Sequence, residues 1–146
     1  MTWDDFAKTL ARELAGLPAG AIVKIAESRE ERPSRFAQFL QTDAELTAEL
    51  VDDDRLSAEL RAGRQGTTVI RELGWQPRDR YHENWWTRLT WPAPSTDYQR
   101  LADMVVGGLR DGFGLATPDS FTYDAWNERR GNSLIELPQL GLPLAT

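Results

Sequence analysis

Cysteine is absent from the 146 residues, and histidine occurs once, at position 82. The first absence excludes disulfides, thiol nucleophiles and thiolate metal sites. The second leaves a zinc site short of the two or three nitrogen or thiolate ligands it needs. A histidine-dependent triad would have to use His82, and no nucleophile signature such as G-x-S-x-G accompanies it. Basic residues are outnumbered, 17 to 23, for a net charge of −6 and a pI near 4.8. That balance opposes nucleic-acid phosphates and anionic membrane surfaces, both of which call for a basic face. No run approaches the ~18 apolar residues of a membrane span, and the start, M-T-W-D-D-F-A-K, is acidic and amphipathic rather than a signal peptide. The expectation is a cytoplasmic chain with no cofactor.

The remaining polar motifs read as structure. Gly63-Arg64-Gln65-Gly66-Thr67-Thr68 lacks the glycine spacing and the lysine of a phosphate-binding loop. Asp52-Asp53-Asp54 is the densest carboxylate run, but consecutive side chains diverge where a divalent cation needs them to converge. His82 sits in the polar stretch R-D-R-Y-H-E-N and reads as a surface residue. Gly107-Gly108 falls inside a helical pattern, at a cost of about 1 kcal/mol each. Close packing against the sheet or a second subunit would explain the pair, and so would simple tolerance. No local trace marks a pair of acids for catalysis, and the chain is read as a non-enzyme.

What is present is a well-patterned α+β chain of one domain, residues 1–146. Trp3, Phe6, Leu10, Leu14 and Leu17 mark one face of a helix, with Thr2 as its N-cap and Pro18-Ala19-Gly20 as its stop. The period then changes to two. Residues 21–26, 35–41 and 46–51 read as strands joined by short connections, hence an antiparallel meander. Phe36, Gln38 and Leu40 fall on one face of the second strand and Phe39 on the other. A polar connection follows, with one helical turn around Leu56–Leu60. A short helix over Thr67–Leu73 ends at Gly74. A fourth strand spans the tryptophan cluster, and a helix capped by Ser95 or Thr96 runs to about Gly112. Ser120–Trp126 reads as an aromatic strand or an irregular segment, Ser133–Leu137 as a short strand, and 138–146 as an extended arm, either packed or loose. The order is α-β-β-β-α-β-α-(β), an antiparallel sheet of four to five strands with the N-terminal and C-terminal helices on one face.

The stretch N-W-W-T-R-L-T-W-P holds three of the six tryptophans. Alternation puts Trp85, Thr87, Leu89 and Trp91 on one face, which reads as core. Asn84, Trp86, Arg88 and Thr90 fall on the other. A covered indole buries about 150–250 Å², so leaving Trp86 in water forfeits a large gain. Either another segment of the chain or a partner must cover it, and tryptophan beside arginine is the composition of interface hot spots. The candidate partner-binding residues are Trp86, Arg88, Tyr123 and Trp126.

Leu73-Gly74-Trp75, Asn84-Trp85-Trp86, Ala102-Asp103-Met104-Val105-Val106 with Leu109-Arg110-Asp111, Pro118, Tyr123-Asp124-Ala125-Trp126 and Leu140-Gly141-Leu142 together resemble the actinobacterial TY-Chap domains. These are grouped with YbjN-like proteins and type III secretion chaperones as peptide-binding chaperones. The resemblance spans most of the chain. It implies an α+β domain with a curved antiparallel sheet, no cofactor and a protein or peptide partner, and it adds a homodimer to the arrangements open to the chain. It assigns no binding residues. The leading expectation is a chaperone-like domain that takes up a peptide on its sheet face or edge. The alternative is an immunity or regulatory protein acting through an acidic surface, Asp52–Asp54 and Glu27–Glu31.

Overall fold

The computed structural model describes residues 1–30 and 33–145. Helix α1, Trp3–Ala15, starts as its sequence dictates. Thr2 Oγ1 accepts the Asp5 N–H at 3.1 Å, and Asp4 and Asp5 lie at the positive end of the helix dipole. Its buried stripe is Trp3, Phe6, Leu10 and Leu14. After Gly20, which takes a left-handed φ of 93°, the chain enters strands β1 (Ala21–Glu27), β2 (Phe36–Gln41) and β3 (Glu45–Leu50). They form the expected antiparallel meander, with Ile22 opposite Leu40 and Leu40 opposite Thr47.

Helix α2 spans Gly63–Glu72, so it begins at Gly63 rather than at Thr67. The reason lies far back in the chain. The Asp53 carboxylate accepts the N–H groups of Ala62 at 2.8 Å and Gly63 at 3.0 Å, capping a helix start that has no local capping side chain. Asp53 itself sits in the first of two single 3₁₀ turns, Asp53–Arg55 and Ala58–Leu60, around which Leu56 and Leu60 turn into the core. Strand β4, Trp85–Thr90, lies beside β3. A cis Trp91–Pro92 bond leads to helix α3, Ser95–Gly107, which ends in a π-helical turn over Gly108–Gly112. Pro94 occupies the N-cap position, and Ser95 and Thr96 lie inside the first turn.

Residues 121–127 form a full strand, β5, paired along its length with β1. Ser133–Leu134 forms β6 on its outer side. The described residues therefore build a six-stranded sheet, β4-β3-β2-β1-β5-β6, where the sequence suggested four to five strands. Two details account for the difference. Phe121, Tyr123 and Ala125 alternate inward as a strand requires, although Thr122, Asp124 and Trp126 interrupt them with mixed chemistry. Strand β6 is two residues long, shorter than the strand read from the sequence over Ser133–Leu137, and it still adds a sixth strand to the sheet.

The C-terminal arm is packed. The Tyr123 N–H donates to the Pro143 carbonyl at 3.0 Å, and the Ala145 N–H donates to the Tyr123 carbonyl at 2.7 Å, a short parallel pairing on the outer edge of β5. Leu137 and Leu140 are buried, and Thr9 Oγ1 of α1 donates to the Leu140 carbonyl at 3.1 Å.

Helices α1 and α3 cover one face of the sheet. The Trp3 ring meets Phe121 edge-on at 5.9 Å between centroids. Helix α3 comes close because it has no side chain where it crosses. A Cβ on Gly108 would stand 2.6 Å from Leu50 Cδ2 on β3, and one on Gly107 would stand 2.9 Å from Leu73 Cδ1. The glycine pair thus packs against the sheet and against the residue that ends α2. Backbones approach even closer between α2 and the π turn, where a Cβ on Gly66 would fall 2.1 Å from the Gly112 carbonyl oxygen. No described helix is long and apolar enough to cross a membrane.

Candidate functional site

Strand parity sorts the sheet into two faces. Ala21, Val23, Ile25, Phe39, Leu46, Ala48, Leu50, Phe121 and Ala125 point under the helices and are buried. The alternate residues point to the other face, which neither α1 nor α3 covers. The strand registers line these side chains up in rows that run across the strands. One row is Leu134, Trp126, Ile22, Leu40, Thr47 and Arg88, each directly opposite the next. The neighbouring row is Asp124, Lys24, Gln38, Glu49 and Trp86. The first begins with four consecutive apolar side chains. Trp126, Ile22 and Leu40 are half-buried, and Leu134 is 57% exposed. A shallow depression of about 370 Å³ opens at this end, lined by Asp124, Ala125, Trp126, Asn132 and Leu134.

At the other end the Trp86 indole has intramolecular cover on its ring. The His82 ring stacks on it with centroids 4.1 Å apart and planes 11° apart, and the Arg88 guanidinium lies 5.2 Å from its centre. His82 reaches that position because the loop before β4 folds back. The N–H and C=O of Gln76 bond both backbone groups of Trp86 on the strand's outer edge, at 2.9 and 3.0 Å. Asp79 then holds the imidazole, with its Oδ1 2.9 Å from His82 Nδ1. The His82 contact, followed by the Tyr81 N–H, keeps the Asp79 carboxyl below the usual carboxylate range. His82 is therefore half-buried against an aromatic ring rather than a free surface residue, as its loop had suggested. The Trp86 Nε1 is buried and has no hydrogen-bond partner among the described residues.

Three of the four residues singled out from the sequence, Trp86, Arg88 and Trp126, share the open face. The fourth faces the other way. Tyr123 is buried, and its hydroxyl accepts the Leu137 N–H at 3.1 Å, which ties the C-terminal arm to β5. Trp85 is in the core as parity requires, and Trp91 packs on its margin, half-buried. Ile22, Leu40 and Leu134 were not anticipated as site residues. The signal was present in β2, where Phe36 and Leu40 oppose Phe39 in a protein whose helices suffice to cover one face only.

The acidic segments serve the fold. Asp53 caps α2, Asp52 Oδ2 accepts the Asp54 N–H at 3.0 Å, and Asp54 pairs with Arg78. Glu27 is buried and forms a two-point contact with Arg35, at 2.6 Å and 2.9 Å. Glu31 lies outside the described residues. A polar cavity of about 600 Å³ beside this region is lined by acids and bases in alternation, among them Asp54, Arg55, Arg78, Asp79 and Glu83. Arg55 and Glu83, both in its lining, pair at 2.7 Å. Among the described residues, no group of three His, Asp or Glu side chains is placed to hold a metal ion.

The site therefore offers apolar and aromatic contact area, backed by a rigid sheet. Searches of curated proteins and of solved structures gave no match. A family model did: the one described as "T3SS (YopN, CesT) and YbjN peptide-binding chaperone 3" matches residues 1–127, and the chain belongs to that family, TY-Chap3.

Proposed function

We propose that this chain is a non-enzymatic chaperone-like domain that binds a segment of a partner polypeptide on the open face of its sheet. The observation that carries the reading is the row Leu134–Trp126–Ile22–Leu40, four apolar side chains side by side, half-buried or exposed, on the face that neither α1 nor α3 covers. Large apolar groups aligned on a rigid surface are what a polypeptide-binding site needs, since contact area supplies the affinity and the sheet pays little ordering entropy. Trp126 anchors one end of the site, and Trp86 with Arg88 forms the other. Tyr123 contributes from beneath, by holding the arm that lines the β5 edge. Membership of a peptide-binding chaperone family supports the same reading.

The acidic-surface alternative is the weaker one, because Glu27 and Asp53 spend their carboxylates on internal partners. An array of short peptides tests the proposal. The intact chain should retain a subset rich in aliphatic residues. The double variant Ile22→Glu, Leu40→Glu, with an unchanged melting temperature, should lose them. Retention of the same peptides by the folded double variant would contradict the proposal.

A further inference from the structure

Resting on that reading, we infer that the occupant of the open face is a basic amphipathic helix rather than an extended strand. Hydrogen bonding decides the backbone conformation. On the face of a sheet, the N–H and C=O groups of the strands are committed in the plane to their neighbours, as the continuous ladders from β4 to β6 record. An extended segment laid across this face would lose water from its own backbone groups and gain no partners for them. A helix brings its backbone already bonded and presents only side chains.

The direction and length of the apolar row agree with that conformation. Strands lie about 4.8 Å apart, so Leu134, Trp126, Ile22 and Leu40 form a stripe about 14 Å long that runs across the strands. Side chains at i, i+4, i+7 and i+11 of a helix form a stripe of about 16 Å. The depression beside Trp126 and Leu134 would seat the terminal anchor.

Charge decides the flanks. Asp124 and Glu49 stand in the row on one side of the stripe and Glu45 on the other. Two cations on the strands of this face lie against aromatic rings: Lys24 Nζ lies 4.6 Å from the Phe36 centre, and the Arg88 guanidinium lies 5.2 Å from that of Trp86. Arg88 also pairs with Glu45 at 3.8 Å. Among the outward strand side chains, the three acids Asp124, Glu49 and Glu45 outnumber Lys24 and Arg88, and in a chain of net charge −6 this balance favours lysine or arginine on the incoming helix.

Fluorescence anisotropy with designed probes tests this. The first probe is a stapled helical peptide with leucine at i, i+4, i+7 and i+11 and lysine and glutamine elsewhere. The second has the same composition, with two D-residues that prevent the helix. The third replaces lysine by glutamate. The first should bind at least about tenfold more tightly than either of the others. Asp124→Lys, a change at an exposed position, should narrow the gap between the lysine and glutamate probes. The folded Ile22→Glu, Leu40→Glu variant should lose about tenfold or more for the first probe. Equal or tighter binding of the D-residue probe overturns the helical occupant, and equal binding of the glutamate probe overturns its charge. A dimer in sedimentation that the double variant dissociates assigns the face to a second copy and also overturns the inference. If the array peptides bind while the stapled probe does not, the helix inference fails alone. If neither binds, the parent reading fails with it.

Discussion

Trp85 and Trp86 are neighbours with opposite environments, and the difference is measurable. Trp85 is buried under the helices, with the Arg71 guanidinium 5.9 Å from its ring. Replacing it by alanine should cost about 3–5 kcal/mol in urea unfolding. Trp86 is half-buried, and its cover is one imidazole and one guanidinium. Trp86→Ala should cost less than half as much, and equal losses would show that Trp86 is a core residue. Glu13 offers a pH test. Burial raises its carboxyl above the usual value, against a smaller opposing effect of the Gln139 backbone. A raised folded value means that the native chain binds the proton more tightly than the unfolded chain. Ionised Glu13 therefore destabilises the protein at neutral pH, and the penalty fades as pH falls through the raised value toward the ordinary one. Glu13→Gln should raise the melting temperature at pH ~7 and change it little near pH ~4. A gain that is constant with pH would contradict this. Asp79 has the opposite sign. Its depressed value makes the His82 contact a source of stability that is present above the ordinary carboxyl value and lost as pH falls through the folded one.

At the scale of elements, the close approach of α2 to the π turn after α3 depends on Gly66. Its Cβ position is occupied by a carbonyl oxygen of the opposing backbone, which cannot swing aside as a side chain could. Gly66→Ala should cost about 1–3 kcal/mol in urea unfolding. A loss within a few tenths of a kcal/mol would mean that the two turns separate freely. Leu140→Ala tests the arm, since that side chain is fully buried. About 2–5 kcal/mol should be lost, whereas a loose arm would lose nothing. Which elements were legible in the sequence follows from where their determinants lie. Helix α1 and the meander carry local signals: a cap, a three-to-four-residue stripe and strict alternation. Helix α2 starts early because of Asp53, and no pattern around Gly63 reports a carboxylate that arrives from a distant turn. A strand at Ser133–Leu134 was legible, but its pairing with β5 and the parallel contact of Leu144 with Tyr123 are long-range pairings of very short segments, and only the folded chain brings those partners together.

Among the described residues, the molecule has helices α1 and α3 on one side of a six-stranded sheet and neither of them on the other. Half of the candidate site was legible from the tryptophan cluster, because parity alone sets Trp86 and Arg88 opposite the core. The apolar row was not legible as a unit. Leu134, Trp126, Ile22 and Leu40 sit on four strands scattered from residue 22 to residue 134, and only the registers make them neighbours. The same registers place Tyr123 in the core, which its aromatic setting could not reveal. The most direct test of the open face as the binding surface is an amide chemical-shift titration of the isotope-labelled full chain with a peptide retained on the array. The account predicts that the perturbed amides cluster on β1, β2, β5 and β6 around Ile22, Leu40, Trp126 and Leu134, with α1 and α3 unchanged. Perturbations confined to the outer surfaces of α1 and α3 would contradict it.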